Sequence, residues 1–326
     1  MNSFFEVLRG GINSTFQDLG RRNYYHIGLP VSGAMDTRNF LISNALVGND
    51  KEDACLEFAY QGPLLKVKNN SINIVITGDV NFTIKKSLSE KVEGQCYKTY
   101  LLDKNDELDL ISTNNSVYGY LAVSGGFKLE KYLGSYSTTT RAGIGSNNGN
   151  KINPKEKLFL NRSNKNFLNK KISYINSKIE FIRIIKGTNY NYFSDSSKSD
   201  LLKKEFTVTK LTDRMGMRLE GPKLKNNYKS NIKSEGLIKG VIQVPTDGNP
   251  IIMLSDHGTI GGYPKIGVVI SADYDKLVQL PPNSKIKFKL IELSEAEKIY
   301  KFYNLETENL LNQIWWKQFL KCLVHY

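Results

Sequence analysis

Short strand signals recur at regular spacing through the first part of this 326-residue chain. Each is a brief run rich in Ile, Val, Leu, Tyr and Thr, and Gly, Asn and Asp separate the runs as turn residues. Such a pattern, with few long helical periods around it, is typical of a β-barrel or a β-sandwich. After a first strand at 4–8, the predicted strands are 54–59, 71–77, 80–85, 99–102, 107–111 and 118–123.

Two helices are predicted, one on each side of these strands. Asp36 is a suitable N-cap for a helix over 37–46, and Gly48 with Asn49 is a suitable end. A second helical pattern covers about 294–324. We expect it either to cap the second domain or to bind a partner.

The length is sufficient for two domains of ordinary size. Residues 161–178 are rich in Asn, Lys and Ser, as in a linker, and strand signals resume beyond them and continue to 288–291. The fold class predicted is mainly β, with two β-barrel domains, few short helices and a C-terminal helix. The predicted segments are an N-terminal domain at 1–165, a linker at 166–178, a C-terminal domain at 179–292 and a helical tail at 293–326.

The net charge of +13 does not by itself indicate nucleic acid. The nine arginines are outnumbered by 36 scattered lysines, and no basic stripe alternates with aromatic residues. Three distant cysteines favour a reducing compartment. The first residues lack the regions of a signal peptide, and no apolar run approaches the roughly 20 residues that span a bilayer. We therefore expect a cytoplasmic chain that binds neither nucleic acid nor membrane.

The stretch from Thr259 to Lys265, with the sequence Thr-Ile-Gly-Gly-Tyr-Pro-Lys, carries the sharpest functional signal. Glycine pairs allow a backbone to approach another surface closely, and here polar side chains stand beside them. Apolar runs at 251–254 and 266–271 flank the stretch. It is either the rim of a ligand site at a strand end or the tight turn of a hairpin.

Acidic residues and arginines on glycine-rich segments extend this candidate site. Arginine is informative because lysine is the default cation of the chain, and its planar fork suits a carboxylate. An unpaired carboxylate can act as a general base; the structural alternative is that each Asp pairs with an Arg or caps a turn. The candidate catalytic residues are Asp18, Asp36, Asp213 and Asp256. The candidate substrate-binding residues are Gln17, Arg21, Gly33, Thr138, Arg141, Arg214, Arg218, Gln243, Thr259, Gly261, Gly262, Tyr263 and Lys265, with Glu220 in the same set.

Several chemistries are disfavoured by the sequence. The three histidines are isolated and no Cys/His spacing suits zinc, so no metal is predicted. There is no Gly-x-Ser-x-Gly nucleophile motif and no Walker-type phosphate loop, and residues 143–149 miss the dinucleotide-binding spacing. If ATP is used, its site is built differently or lies on another chain.

Taken together, these segments resemble the biotin-dependent carboxyltransferase family, also called the allophanate hydrolase subunit 2 family. The matching stretches run in family order over about 4–291 and are specific as a set. They include 15–21 (Thr-Phe-Gln-Asp-Leu-Gly-Arg), 28–36 (Gly-Leu-Pro-Val-Ser-Gly-Ala-Met-Asp), 44–49, 133–142, 213–222 (Asp-Arg-Met-Gly-Met-Arg-Leu-Glu-Gly-Pro), 234–236, 240–245, 247–251 and 261–266.

The resemblance implies cyclophilin-like β-barrels and an amide substrate. The family includes the C subunit of a bacterial ATP-dependent 5-oxoprolinase, which opens 5-oxo-L-proline to L-glutamate together with the B and A subunits, and we expect that role here. It implies a direct contact with the B subunit, and ATP used by the assembled complex. Two alternatives stay open: a carboxyltransferase that acts on urea or a similar amide with a separate biotinylated chain, and a regulatory protein that binds a homologue of a kinase inhibitor.

The chain departs from the family pattern at a few positions. His257 and Gly258 stand where the family usually has Arg and Gln, and Tyr136 where it has Arg. Asn23 replaces a usual glycine, and Lys155-Glu156 lies near a usual Gly-Asp pair. These departures predict an altered surface around an otherwise complete framework of acids and arginines.

Overall fold

A computed structural model describes residues 3–87, 91–163, 169–174, 180–227 and 232–323, with side chains described to residue 314. The chain forms two compact units. The first consists of Met1–Arg21, Asp36–Ile175 and Glu306–Tyr326, and the second of Arg22–Met35 and Asn176–Leu305. The short segment 22–35 therefore belongs with the second unit although the chain on both sides of it belongs to the first.

Two antiparallel sheets build the first unit. One has the strand order β11-β1-β4-β9-β6-β7 and the other the order β2-β3-β10-β5-β8. The strands are β1 (Phe4–Arg9), β2 (Thr15–Gln17), β3 (Cys55–Ala59), β4 (Leu64–Lys68), β5 (Ile72–Thr77), β6 (Val80–Lys85), β7 (Lys91–Glu93), β8 (Thr99–Leu102), β9 (Glu107–Thr113), β10 (Tyr118–Val123) and β11 (Lys157–Phe159).

Alternating burial along these strands places one face of each sheet in a shared apolar core. Phe5 of β1 lies opposite Val67 of β4, and Val7 lies opposite Leu65; all four are at most 1% exposed. Strands of both sheets contribute to the same buried cluster. The period-two pattern that predicts these strands is thus the pattern that fills the core.

Helix α1 (Thr37–Val47) packs against β5 and β10 of the first unit. It begins where predicted, because the Asp36 carboxylate accepts a hydrogen bond from the Asn39 N–H at 2.9 Å. It ends at Gly48, whose φ of 74° is the left-handed conformation that glycine adopts without strain. The predicted helix and both of its capping signals are confirmed.

Residues 166–178, predicted as a linker, lie partly outside the described residues. Within 169–174 the backbone bonds to the first unit: the Thr99 N–H donates to the Lys170 carbonyl at 2.9 Å, and the Ile172 N–H donates to the Tyr97 carbonyl at 3.1 Å. This stretch continues the hydrogen bonding of β8 at the edge of its sheet.

An eight-stranded sheet forms the second unit, with the order β20-β13-β14-β17-β16-β19-β12-β21 and a separate two-stranded pair, β15 with β18. The strands are β12 (Ile182–Lys186), β13 (Phe206–Val208), β14 (Gly216–Glu220), β15 (Glu235–Gly236), β16 (Val241–Gln243), β17 (Ile251–Met253), β18 (Ile260–Gly261), β19 (Lys265–Val269), β20 (Lys285–Ile286) and β21 (Phe288–Leu290). The helices are α2 (Asp195–Lys203), α3 (Ser271–Leu277) and α4 (Leu293–Leu323), of which α4 belongs to this unit up to Leu305.

The two edge strands of this large sheet are neighbours in the chain. Only Lys287 separates β20 from β21, yet they lie at opposite ends of the strand order. A sheet whose two edges are consecutive in sequence curls back toward itself, so the sheet is nearly closed. The predicted fold class, mainly β with barrel domains, few helices and a C-terminal helix, is confirmed.

Two local predictions in this unit are wrong. The runs around 251–254 and 266–271 do not pair as a hairpin, because β16 lies between β17 and β19 and pairs with both. The second run ends as a strand at Val269, and α3 begins at Ser271. The Asp273 carboxylate of α3 is buried against Arg183, a long-range pairing that fixes this turn of helix in place.

None of the helices within the described ranges is long and apolar enough to cross a membrane.

Candidate functional site

In the first unit, Asp18 organises the loop at 135–137. It follows β2, is 5% exposed, and accepts hydrogen bonds from four donors. These are the hydroxyls of Ser135 at 2.7 Å and Ser137 at 2.5 Å, and the backbone N–H groups of Tyr136 at 2.7 Å and Gly20 at 2.8 Å. These four hydrogen bonds tie the loop to Asp18 and fix its path.

Three more predicted residues meet on the same loop. Arg21, 1% exposed, donates to the Thr139 hydroxyl at 2.7 Å and to the Ser137 carbonyl. Gln17 donates through its amide to the Thr138 carbonyl at 2.9 Å. The structure therefore brings Gln17, Asp18, Arg21 and Thr138 together, as the sequence predicts for one site.

Asp36 and Arg141 take other places in the first unit. Asp36 caps α1 with both carboxylate oxygens, and its backbone N–H donates to the Tyr120 hydroxyl at 2.7 Å. Tyr120 in turn donates to the Glu57 carboxylate at 2.8 Å. Arg141 lies on an exposed turn.

In the second unit, Arg214 and Asp256 form a buried ion pair. Arg214 Nε lies 2.8 Å from Asp256 Oδ2, and Arg214 Nη2 lies 3.0 Å from Asp256 Oδ1. Arg214 Nη2 also donates to the Gly33 carbonyl at 2.7 Å. Because Gly33 belongs to the segment 22–35, this arginine ties that segment to the rest of its unit.

Two further contacts hold the segment 22–35 to the same place. The Ser32 N–H donates to the Ser255 carbonyl at 3.1 Å. The Tyr25 hydroxyl lies 3.1 Å from Nε2 of His257, and His257 Nδ1 lies 2.6 Å from the Gly258 carbonyl. Since a carbonyl only accepts, Nδ1 carries the proton, so Nε2 accepts from Tyr25. Arg214 and residues 255–257 thus hold the segment 22–35 in place.

His257 is 1% exposed, and burial lowers its pKa below the ordinary 6.5, against the opposing effects of the Gly258 carbonyl and Asp256. The imidazole is therefore neutral at neutral pH. A neutral imidazole bonded to a phenol can transfer a proton, which is a chemical capacity that the sequence did not predict.

Lys239 lies beside this cluster and was not a predicted site residue. Its Nζ stands 4.2 Å from the centre of the Tyr274 ring. Tyr274 is 2% exposed, and its hydroxyl lies 3.2 Å from that of Ser255. Burial lowers the pKa of Lys239, with Asp275 opposing that effect and Arg214 adding to it. A cation on an aromatic ring next to a paired guanidinium is a group that can stabilise negative charge.

Gly261, of the glycine pair that the sequence singles out, lies in a second group of polar residues in this unit. The other members of this group are Gln243, Tyr263, Lys265 and Glu235. A Cβ on Gly261 would stand 2.7 Å from Gln243 Nε2 and 2.8 Å from Leu237 Cδ1, so a larger residue there would displace the ends of these two side chains. The Gln243 amide donates to the Tyr263 carbonyl at 3.2 Å. Lys265, 3% exposed, pairs with Glu235 at 2.6 Å.

Four remaining candidates lie at the edges of these groups. Asp213 is exposed and accepts from the N–H groups of Met215 and Gly216, which closes a turn. Arg218 and Glu220 are exposed on β14. Thr259 is buried, and its carbonyl accepts from the Leu237 N–H at 2.9 Å. The predicted residues thus fall into separate groups in the two units, and a single site shared by all of them stays a prediction.

The residues that sequence reasoning missed share one property: none lies on a recognisable motif. Tyr25 precedes the motif around Gly33, Lys239 looks like one more surface lysine, and Tyr274 follows the apolar run at 266–271. His257 alone carried a usable signal, because it departs from the family pattern.

Residues 27–290 match the family of carboxyltransferase domains, subdomains A and B, and the chain belongs to this family.

Two bacterial relatives are similar over almost their whole length. The C subunit of the 5-oxoprolinase of Haemophilus influenzae is 32% identical over 299 residues, a match that covers 90% of this chain and 93% of that protein. The C subunit of the 5-oxoprolinase of Escherichia coli is 29% identical over 301 residues, with the same coverage of both.

A solved structure shares the fold but is much longer. The urea amidolyase of K. lactis superposes with a TM-score of 0.84 at 26% identity, over 94% of this chain. The chain spans 20% of the length of that enzyme.

Proposed function

We propose that this chain is a component of a 5-oxoprolinase, equivalent to the C subunit of the bacterial relatives, and that it contributes to ring-opening hydrolysis of 5-oxo-L-proline to L-glutamate. The observation that carries the proposal is the extent of the match: 93% of each bacterial C subunit is covered, against 20% of the urea amidolyase. The chain works with the B and A subunits, with the B subunit in direct contact, and its location is cytoplasmic.

The chemistry of an amide hydrolase fits the groups in the second unit. Attack on an amide carbonyl places negative charge on its oxygen, and positive groups stabilise that charge. Arg214, held by Asp256, and Lys239, seated on Tyr274, supply positive charge in one region. The neutral His257, bonded to Tyr25, supplies a proton acceptor. Asp18 and Asp36 hold a loop and a helix in place.

The residues of this chain do not fit ATP at their helix N-termini. Phosphates bind well at a helix N-terminus that is not already occupied by an acidic group. Here Asp36 caps α1, and acidic residues stand in the first turns of α2, α3 and α4, namely Asp195, Asp273 and Glu295. ATP is used by the assembled complex, at a site that is built differently from a helix N-terminus or that lies on another chain.

Reconstitution tests the proposal directly. The chain is mixed with 5-oxoprolinase A and B subunits, with ATP and 5-oxo-L-proline, and glutamate release is measured. We expect release only when all three are present, and little from the chain alone. Absence of glutamate from the complete mixture, with each component folded by circular dichroism, would contradict the assignment.

A second candidate is a carboxyltransferase acting on urea or a similar amide with a biotinylated partner chain. The family match and the fold similarity to urea amidolyase favour it. This reaction depends on biotin, so avidin would abolish it, whereas avidin leaves 5-oxoproline hydrolysis unchanged. Urea-dependent consumption of ATP that avidin blocks would replace the first proposal by the second.

A further inference from the structure

Lys239 stands in a turn whose backbone fixes its position. The turn joins β15 to β16, where the Val241 N–H donates to the Ile238 carbonyl at 3.2 Å. Gly240 follows with a φ of 90°, and a Cβ there would meet the Val269 carbonyl at 2.9 Å. The Gly240 N–H donates to the Met253 carbonyl at 2.8 Å. These contacts hold Gly240, and with it the neighbouring Lys239, between β17 and β19.

The ammonium group of Lys239 rests on an aromatic ring and lacks an acceptor. It lies 4.2 Å from the centre of the buried Tyr274 ring. Among the residues that the structure describes, Lys239 has no hydrogen-bond acceptor and no ion-pair partner for its three N–H donors. The residue as a whole is exposed, so a small ligand can reach it.

The nearby charges define what such a ligand must be. Arg214 is already neutralised by Asp256, and Asp275 accepts a hydrogen bond from the Tyr303 hydroxyl. Burial and Arg214 lower the pKa of the Lys239 ammonium and Asp275 raises it, so an added carboxylate stabilises the ammonium while Asp275 limits how much negative charge fits there. Asp275 would repel a phosphate carrying two charges more strongly than a carboxylate carrying one charge.

We propose that Lys239 binds the carboxylate of the amide substrate and so selects an acidic lactam over urea. This inference rests on the proposed function, since 5-oxo-L-proline carries a carboxylate beside its ring amide and urea carries none. The carboxylate is anchored on Lys239, and the amide then lies toward Arg214, whose charge acts on Lys239, and toward His257, on which the Lys239 charge acts.

The variant Lys239→Met in the reconstituted complex tests the site. We expect its KM for 5-oxo-L-proline to rise by about tenfold or more, as for loss of one charged hydrogen bond, with a smaller change in kcat. Lys239→Arg keeps the charge and should stay close to the wild type. Lys186→Met is the matched control, because Lys186 is an exposed lysine that lies 5.8 Å from the Tyr190 ring in the same unit. A KM within twofold of the wild type for Lys239→Met would overturn the proposal.

A binding measurement on the chain alone separates this proposal from the proposed function. Lysine side-chain NMR signals are followed while 5-oxo-L-proline, acetate or 2-pyrrolidone is added. We expect the Lys239 signal to shift with the two carboxylates, to stay in place with 2-pyrrolidone, and to be absent in Lys239→Met. If the complex fails to release glutamate while the carboxylates still shift Lys239, the 5-oxoprolinase assignment fails and the carboxylate site stands. If glutamate is released but neither carboxylate shifts Lys239, the site fails and the assignment stands.

Discussion

Arg214 and Asp256 meet through two parallel hydrogen bonds, and each side chain is 8% exposed. The backbone joins them as well, since the Asp256 N–H donates to the Arg214 carbonyl at 2.9 Å. Removing one charge from such a pair leaves the other buried without compensation. The pair is therefore a structural element as well as a candidate site.

The variant Asp256→Asn should lower the free energy of unfolding by about 3 kcal/mol, because Arg214 loses its counter-ion. Urea denaturation measures the change. Asp213→Asn is the control: the residue is exposed, and asparagine keeps an acceptor oxygen for the turn, so a change of less than about 0.5 kcal/mol is expected. If Asp256→Asn were as stable as the wild type but inactive, the carboxylate would act in the chemistry and the structural role would be rejected.

Asp18→Asn should destabilise the first unit by roughly 2 kcal/mol, because the amide replaces an acceptor oxygen by a donor among four existing donors. Hydrogen exchange at 135–139 should speed up more than exchange in β10. Glu93→Gln, at an exposed position of β7, serves as the control. Unchanged protection at 135–139 would show that other contacts fix the loop.

Gly261→Ala should cost about 1 kcal/mol or less, because the new methyl group displaces the flexible ends of the Gln243 and Leu237 side chains. Gly236→Ala is a closely matched control on the partner strand β15, since a Cβ there has no neighbour within 4 Å. Thermal denaturation of both variants is the measurement. Equal melting temperatures for the two would mean that Gln243 moves aside at no cost.

The pH dependence of stability should contain a contribution from His257. Its pKa in the folded protein is lowered by burial, so the unfolded chain binds the proton more readily. Stability is then fully present above the ordinary pKa of 6.5 and declines as the pH falls below it. The slope cannot exceed that of one linked proton, about 1.4 kcal/mol per pH unit.

Urea unfolding between pH 5 and 7.5, in steps of about half a unit, measures this slope. His257→Gln should flatten it, and His26→Gln, at an exposed residue, should leave it as in the wild type. Asp256 and Lys239 also act on His257, so both groups must be intact in the comparison. An identical slope in wild type and His257→Gln would contradict the buried neutral imidazole.

Local signals in the sequence predicted the elements that local interactions determine. The cap at Asp36 and the glycine at 48 delimit α1 through contacts within a few residues. The alternating runs at 72–77 and 118–123 became β5 and β10. Strand β4 escaped prediction because three of its five residues are partly exposed and two of those are lysines, although Leu65 and Val67 alternate into the core.

Pairings between residues that lie far apart in the chain could not be predicted from the sequence. Nothing in residues 251–269 indicates that β16 lies between β17 and β19. The sequence does not indicate the partners of the candidate residues: Asp18 bonds to serines of a distant loop, and Arg214 pairs with Asp256. Tyr25 and Lys239 acquire their partners only when the sheet of the second unit is formed.

The chain passes between its two units at residues 21/22, 35/36, 175/176 and 305/306, so neither half of the gene encodes a unit by itself. A polypeptide cut near 178 would carry the segment 22–35 without Arg214, Ser255 and His257, which hold it. The complementary piece would lack Tyr25 and Gly33, and would carry residues 306–314 that belong to the first unit. A chimaera of two relatives joined at the midpoint would therefore contain units built from residues of both parents. To keep the second unit intact, the exchange has to include 22–35 together with the downstream half.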